Sequence, residues 1–186
     1  KPTRGDAFLY GNSIVSASST VKNMIGVSPQ ETAVAPNLTV TENLALMCGV
    51  HGFLAEKRKE KLKELTRQFG LSGIANKRAG KLSGGWQRLS IAMALIGEPK
   101  ILFLDEPTLG LDVLARSDLW DVIRSLKGET TIVLTTHYME EAQALSDRVG
   151  IMKDGRLLDV GRPEALITKS GAQNLEEAFI KLVKEA

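Results

Sequence analysis

The stretch Ile101-Leu-Phe-Leu-Asp105-Glu106-Pro107 decides the fold, because four apolar residues run directly into two carboxylates. A continuous apolar run of this kind predicts a strand that is buried on both faces of a parallel sheet. In open α/β sheets, ligands bind at the carboxyl ends of the strands. Carboxylates at that edge can hold Mg²⁺ and orient an attacking water, although Asp105 could also simply cap a turn before Pro107.

The chain after residue 99 alternates apolar runs with helical patterns, which predicts an α/β domain built on a parallel sheet. The Asp154-Gly155 pair is a strong signal for a hairpin turn. The predicted elements are a helix over 114–126, a second buried strand over Thr130–Thr135, a short helix over 138–146, a strand over Val149–Met152 and its hairpin partner Leu157–Val160.

Upstream of residue 99 the pattern is mainly helical. Short strands are expected at 6–10 and 24–28, and a capping-box pattern from Thr39 to Glu42 places a helix start near residue 40. Residues 55–69 carry apolar side chains at helical spacing in a charged background, as an amphipathic helix does. We expect a last helix capped by Asn174 and Glu177, with an apolar face made of Leu175, Ala178, Phe179, Leu182 and Val183.

Composition limits the possible functions. The 186 residues suit one domain, and a formal net charge of +2 gives no reason to expect a nucleic-acid partner. Cys48 is the single cysteine, so no internal disulfide can form and a reducing cytosol is expected. No apolar run is long enough to span a bilayer, so any action at a membrane would need a partner.

A second candidate binding segment is Leu82-Ser83-Gly84-Gly85, which precedes a predicted helix. Glycines allow close approach of a ligand to the backbone, and free N–H groups at a helix N-terminus favour phosphate. Ser-Gly-Gly turns are common, however, so this segment alone decides nothing. Gln30 and His137 each follow a predicted strand, and taken singly either residue could be purely structural.

The order of these segments resembles the ATP-binding domains of ABC proteins. Gln30 corresponds to the Q-loop, Ser83 to Gly85 to the signature motif, Asp105-Glu106 to the Walker B strand, Gly110-Leu-Asp112 to the D-loop and His137 to the H-loop. The resemblance is strongest to subunits of ABC-2 exporters, through Pro36-Asn-Leu-Thr-Val-Thr-Glu-Asn43 and Thr135-Thr-His-Tyr-Met-Glu-Glu-Ala142.

This resemblance implies an ATPase, with ATP and Mg²⁺ as cofactors, on the inner face of the cell membrane. Asp105 and Gln30 would bind the metal, Glu106 would polarise the attacking water and His137 would contact the γ-phosphate. Ser83, Gly84 and Gly85 would close on the nucleotide of a second ATP-binding domain in a head-to-tail dimer, and Asp112 would couple the two sites. A transmembrane permease would contact the helical segment, near residues 30–50.

The sequence departs from the family in two places. The 186 residues contain no Gly-x-x-x-x-Gly-Lys-Ser/Thr loop, so we expect a P-loop NTPase-like sheet that lacks the phosphate-loop strand and is marginally stable on its own. Only Trp86, Gln87 and Arg88 separate Gly85 from Leu89, one residue fewer than in the family pattern. Such a deletion turns a helix by about 100° unless the preceding loop or a tightened first turn absorbs it.

We therefore predict one partial domain over 1–186. It has an α/β core at 1–38 and 99–165, a helical signature subdomain at 39–98 and a C-terminal helix at 166–186. Its predicted function is the ATPase subunit of a transporter, in the exporting direction. Three alternatives remain open: a non-catalytic module that offers only its signature to a partner, a decayed fragment, and a soluble ABC ATPase of DNA repair or translation.

Overall fold

The computed structural model describes residues 2–31, 33–82 and 85–184. The chain divides into two compact units, Lys1–Thr135 and Thr136–Ala186. Within the described residues, no helix combines the length and apolar character that crossing a bilayer requires.

A three-stranded parallel sheet organises the first unit. Its strands are β3 (Ile25–Ser28), β4 (Ile101–Asp105) and β5 (Thr131–Thr135), in the order β3-β4-β5. This arrangement agrees with the prediction of a parallel sheet around the acidic strand. The register places Asp105 opposite Thr135 at the carboxyl end.

The two faces of this sheet differ in burial. On one face, Leu102 and Leu104 are buried. On the other face, Val27 is 52% exposed and Val133 is 44% exposed. The prediction that Thr130–Thr135 is a buried strand is therefore wrong, because its residues are exposed or only partly buried: in the described part of the chain β5 pairs with β4 alone, so it lies at an edge.

Helix α4 (Trp86–Ala94) packs closely against β3. A Cβ atom built on Gly26 would lie 2.3 Å from the carbonyl oxygen of Ala94, so only glycine permits this approach. Ser28 and Ser90 form a buried hydrogen bond of 2.8 Å between their hydroxyls across the same contact. Small and polar residues thus join the helix that follows the signature segment to the strand that precedes Gln30.

The segment from 40 to 94 contains α2 (Val40–Val50), α3 (Ala55–Gln68) and α4, with 3₁₀ turns at Ser72–Ile74 and Ala79–Lys81. The predicted capping box is confirmed, because Glu42 N–H donates to the Thr39 hydroxyl and Thr39 N–H donates to the Glu42 carboxylate. The hydrogen bond from the Thr39 N–H, and after it one that the Thr39 hydroxyl donates to the same carboxylate, hold the pKa of Glu42 below its usual value. Cys48 is buried in α2, and burial raises the pKa of its thiol.

The described residues of the first unit contain four further elements. Strands β1 (Phe8–Leu9) and β2 (Asn12–Ser13) form a short hairpin, so the strand expected over 6–10 is only two residues long. Helix α1 (Ser18–Lys22) follows the hairpin. Helix α5 (Val113–Ser125) follows β4 and begins one residue before its predicted start at 114.

The second unit consists of a hairpin and three helices around a small apolar core. Asp154 and Gly155 both have positive φ, which confirms the predicted tight turn. The Asn174 side chain accepts the Glu177 N–H at 2.8 Å, and the apolar face of the last helix, α8 (Leu175–Lys184), packs into the core as expected. The elements are α6 Met139–Leu145, β6 Val149–Lys153, β7 Arg156–Gly161, α7 Pro163–Ser170 and α8 Leu175–Lys184.

Candidate functional site

Asp105 is the last residue of β4, and its side chain is exposed at the carboxyl edge of the sheet. The hydroxyl of Thr135 on the neighbouring strand donates a hydrogen bond to Asp105 Oδ1. A hydrogen bond to an ionised acceptor is stronger than one between neutral groups, so it can fix the orientation of the carboxylate. The sequence analysis identified Asp105 but missed Thr135. The signal for Thr135 was a polar residue at the end of the apolar run that predicts the next strand.

Glu106 lies just beyond β4 and adopts a left-handed backbone conformation, with φ of 45°. Such a conformation is unfavourable for a residue with a Cβ atom and is found mostly where the surroundings enforce it. Here the Glu106 N–H donates to the carbonyl oxygen of Thr135 at 3.0 Å. The turn changes the direction of the chain after the strand, and Glu106 is half-buried.

Gln30 reaches the same edge from the end of β3. Its Nε2 atom donates to Glu106 Oε2 at 3.3 Å. The structure thus brings together three of the predicted site residues, Gln30, Asp105 and Glu106. The parallel sheet accounts for this, because β3 and β4 end side by side, with Ser28 paired to Leu104.

The oxygen atoms at this edge suit a hard divalent cation. Asp105 and Glu106 supply carboxylates and Gln30 an amide, and Mg²⁺ prefers such oxygen ligands. In the described ranges, no three histidine, cysteine, aspartate or glutamate side chains converge into a complete metal cage. Mg²⁺ does not need one, since it is usually held by one or two carboxylates, water and the phosphates of its substrate.

The signature segment is described only in part, since Ser83 and Gly84 lie outside the described residues. Gly85 is buried and precedes α4. The Leu89 N–H donates to the Gly85 carbonyl oxygen at 3.0 Å, which is the four-residue bond of a regular α-helix. The shortened link is therefore not absorbed by a tightened first turn.

Two contacts tie α4 to the segment that follows the acids. Gln87 Nε2 donates to the carbonyl oxygen of Leu109 at 3.3 Å, and the Arg88 guanidinium pairs with the Asp118 carboxylate at 2.8 Å. Helix α4 thus contacts the residue that precedes the predicted D-loop and the helix that follows this loop.

Asp112 is the N-cap of α5, where its side chain accepts the Ala115 N–H at 2.9 Å. The next two residues, Val113 and Leu114, are apolar but exposed. His137 belongs to the second unit; it is exposed, and its ring lies 4.1 Å from that of Tyr138.

The family model described as "ABC transporter" matches residues 1–109. The chain is similar to ABC transporter A family member 9 of Arabidopsis thaliana, with 45% identity over 172 residues that cover 91% of the chain and 18% of the relative. It is also similar to ABC transporter A family member 1 of Dictyostelium discoideum, with 37% identity covering 92% of the chain and 20% of the relative. The chain thus spans about a fifth of the length of these relatives.

Two solved structures share the fold. An ATP-binding subunit of an ABC transporter aligns with a TM-score of 0.82 and 26% identity, over 98% of this chain and 78% of the other. A dimeric ATP-binding cassette in a post-hydrolysis state, bound to ADP and Pi, aligns with a TM-score of 0.76 and 26% identity. That alignment covers 87% of this chain and 75% of the other.

Proposed function

The chain belongs to the ABC transporter family as an ATP-binding domain, and from this premise we propose that it binds Mg²⁺–ATP and hydrolyses it to power transport. The observation that carries the proposal is the convergence of Gln30, Glu106 and Asp105 at one sheet edge. Hydrolysis of a phosphoanhydride depends mainly on positioning a water and stabilising charge, which a fixed set of acids and amides can do.

Each of these residues has a distinct task in the proposed reaction. The Glu106 carboxylate orients the attacking water and polarises it by accepting a hydrogen bond from it. The Gln30 amide, bonded to Glu106 Oε2 at 3.3 Å, limits the orientations of that carboxylate. Asp105 holds the divalent cation together with Gln30. When bound, the cation neutralises charge that develops on the transferred phosphoryl group.

Other predicted residues complete the proposed site. His137 would contact the γ-phosphate, and Ser83, Gly84 and Gly85 would face the nucleotide of a second ATP-binding domain. The solved relative that is dimeric and bound to ADP and Pi supports this assembly. Asp112 is proposed to couple the two nucleotides, and the exposed Val113 and Leu114 beside it suit a domain interface.

The second proposed partner is a membrane permease, which would place the domain on the inner face of the membrane. Three apolar side chains around the α2–α3 turn support a docking surface there. They are exposed by 52% at Leu46, 71% at Val50 and 82% at Leu54. The exporting direction is proposed from the ABC-2 resemblance of residues 36–43 and 135–142.

Glu106→Gln in the natural full-length protein tests the hydrolytic assignment. The amide keeps the size of the side chain but cannot take a proton, so we expect turnover to fall by about 10²- to 10⁴-fold with ATP binding retained. The matched control is Glu129→Gln, an exposed glutamate outside the site, which should leave turnover unchanged. If the wild type binds ATP but shows no Mg²⁺-dependent turnover, the chain is instead a non-catalytic module.

A further inference from the structure

Thr135 contacts both acids at the end of β4. Its side-chain hydroxyl donates to Asp105 Oδ1, and its backbone carbonyl accepts the Glu106 N–H at 3.0 Å. The parallel register explains the double contact, because Thr135 is paired with Asp105 and its carbonyl reaches one residue further.

The contact with Asp105 bears on cation binding. Both side chains are exposed, so without a fixed partner the carboxylate could take several rotamers. Within the described residues Asp105 Oδ2 accepts no hydrogen bond, so this oxygen is left for a cation while Oδ1 is held. Groups that orient a metal-binding side chain in this way contribute strongly to metal affinity.

Threonine suits this task better than most residues. Its β-branched side chain has few χ1 rotamers in a strand, so the hydroxyl is held in place before it meets the carboxylate. The contact with Glu106 uses only the backbone carbonyl of Thr135. A side-chain substitution at Thr135 therefore changes the hydrogen bond to Asp105 and leaves the backbone hydrogen bond from Glu106 in place.

We propose that Thr135 is a positioning residue that orients the Asp105 carboxylate for the divalent cation that accompanies ATP. The inference rests on the proposed function, and it assigns a role to a strand-end hydroxyl rather than to the acids themselves.

The test measures cation affinity directly in the natural full-length protein. Mn²⁺ replaces Mg²⁺, and its free concentration is followed by electron paramagnetic resonance in the presence of a non-hydrolysable ATP analogue. Thr135→Val removes the hydroxyl and keeps the branched shape, so we expect Mn²⁺ to bind about tenfold more weakly. Thr135→Ser keeps the hydroxyl and should stay within about twofold of the wild type by the same reasoning.

Two controls separate positioning from a general structural effect. Thr131→Val removes an exposed threonine hydroxyl from the other end of the same strand and should leave Mn²⁺ affinity unchanged. Nucleotide affinity measured in EDTA should be the same in Thr135→Val and the wild type, because the hydroxyl is proposed to act on the cation site alone.

Each remaining outcome contradicts the inference in a distinguishable way. Wild-type Mn²⁺ affinity in Thr135→Val would overturn the positioning role and leave the proposed function standing. Equal losses in Thr135→Val and Thr135→Ser, or a parallel loss of nucleotide affinity in EDTA, would show that shape rather than the hydroxyl matters. A wild type that binds no Mn²⁺ with the analogue would overturn the proposed function, and the inference with it.

Discussion

Asn43 is the residue at which a single substitution should have the clearest local effect. It is fully buried in the first turns of α2, and its side chain forms hydrogen bonds with the backbone of the loop that precedes the helix. Its Oδ1 accepts the Ala35 N–H at 2.8 Å, and its Nδ2 donates to the carbonyl oxygens of Ala35 at 3.1 Å and Thr39 at 2.9 Å. This side chain thus connects residues 35–39, downstream of Gln30, to the helical segment.

Asn43→Ala removes these three bonds, together with a longer one of 3.4 Å from Nδ2 to the Leu38 carbonyl oxygen, and leaves their backbone partners without the amide. At about 1 kcal/mol for each of the three shorter bonds, the loss is about 3 kcal/mol. If residues 33–50 open as one unit, amide hydrogen exchange in α2 should become roughly a hundredfold faster. Hydrogen exchange read by mass spectrometry on the natural full-length protein measures this locally, whereas a melt would average over both units.

Asn43→Asp adds a pH dependence to the same test. A carboxylate oxygen replaces Nδ2 and faces the carbonyl oxygens of Ala35 and Thr39, so burial and these dipoles raise the pKa of the new carboxyl in the folded state. Its destabilising effect is therefore present above the raised pKa and fades as the pH falls towards about 3.9, the unfolded value, since the protonated acid can donate. Each comparison is made with the wild type at the same pH.

Asn37→Ala, in the exposed part of the same loop, is the matched control and should leave exchange unchanged. Wild-type protection of α2 in Asn43→Ala would refute the reasoning, because it would mean that the buried network does not hold the loop. Equal acceleration in Asn37→Ala would also refute it, since the effect would then not depend on the buried amide.

Two further predictions concern the same unit. Glu42→Gln should remove part of the acid dependence of stability. The Thr39 N–H lowers the pKa of Glu42 below 4.5. The stabilisation by the ionised Glu42 carboxylate is therefore present above that value and is lost as the pH falls through the lowered pKa. Melting curves of both proteins between about pH 3 and pH 6 measure the difference in stability, which should become smaller as the pH falls. Gly26→Ala should destabilise by about 1–3 kcal/mol, because its Cβ would lie 2.3 Å from the Ala94 carbonyl oxygen. Urea unfolding measures the loss, and the control is Gly73→Ala, where an added Cβ atom would have no neighbour within 4 Å. Equal unfolding midpoints for the two variants would contradict the packing argument.

Local patterns in the sequence were enough to predict several elements of both units. The apolar run before Asp105 indicated β4, the Thr39–Glu42 spacing indicated the start of α2, and Asp154-Gly155 indicated a turn. These signals are local, because capping and turn formation depend on residues within four positions of one another. Burial of the Thr130–Thr135 strand could not be read in this way, since it depends on which strands and helices lie beside it.

The contacts of the candidate site were beyond the sequence for the same reason. Residue types and motif order led to Gln30, Asp105 and Glu106, but nothing local indicated that Gln30 would bond to Glu106 across 76 positions. Thr135 is separated from Asp105 by 30 positions, and the register between β4 and β5 is needed to bring the two together. The left-handed conformation at Glu106 was equally hidden, since glutamate has no preference for it.

The packing of β3 connects this site to the signature helix. Gly26 allows the backbone of α4 to approach the strand, and the Ser28 hydroxyl forms a hydrogen bond with that of Ser90 on this helix. Ser28 lies two residues before Gln30, whose side chain donates to Glu106. Because the contact leaves no space for a Cβ atom at Gly26, α4 cannot move towards the strand without moving the strand itself. The contact of backbone and small side chains therefore fixes the spacing between α4 and the strand that leads to Gln30, and it resists compression more than a contact made by long flexible side chains.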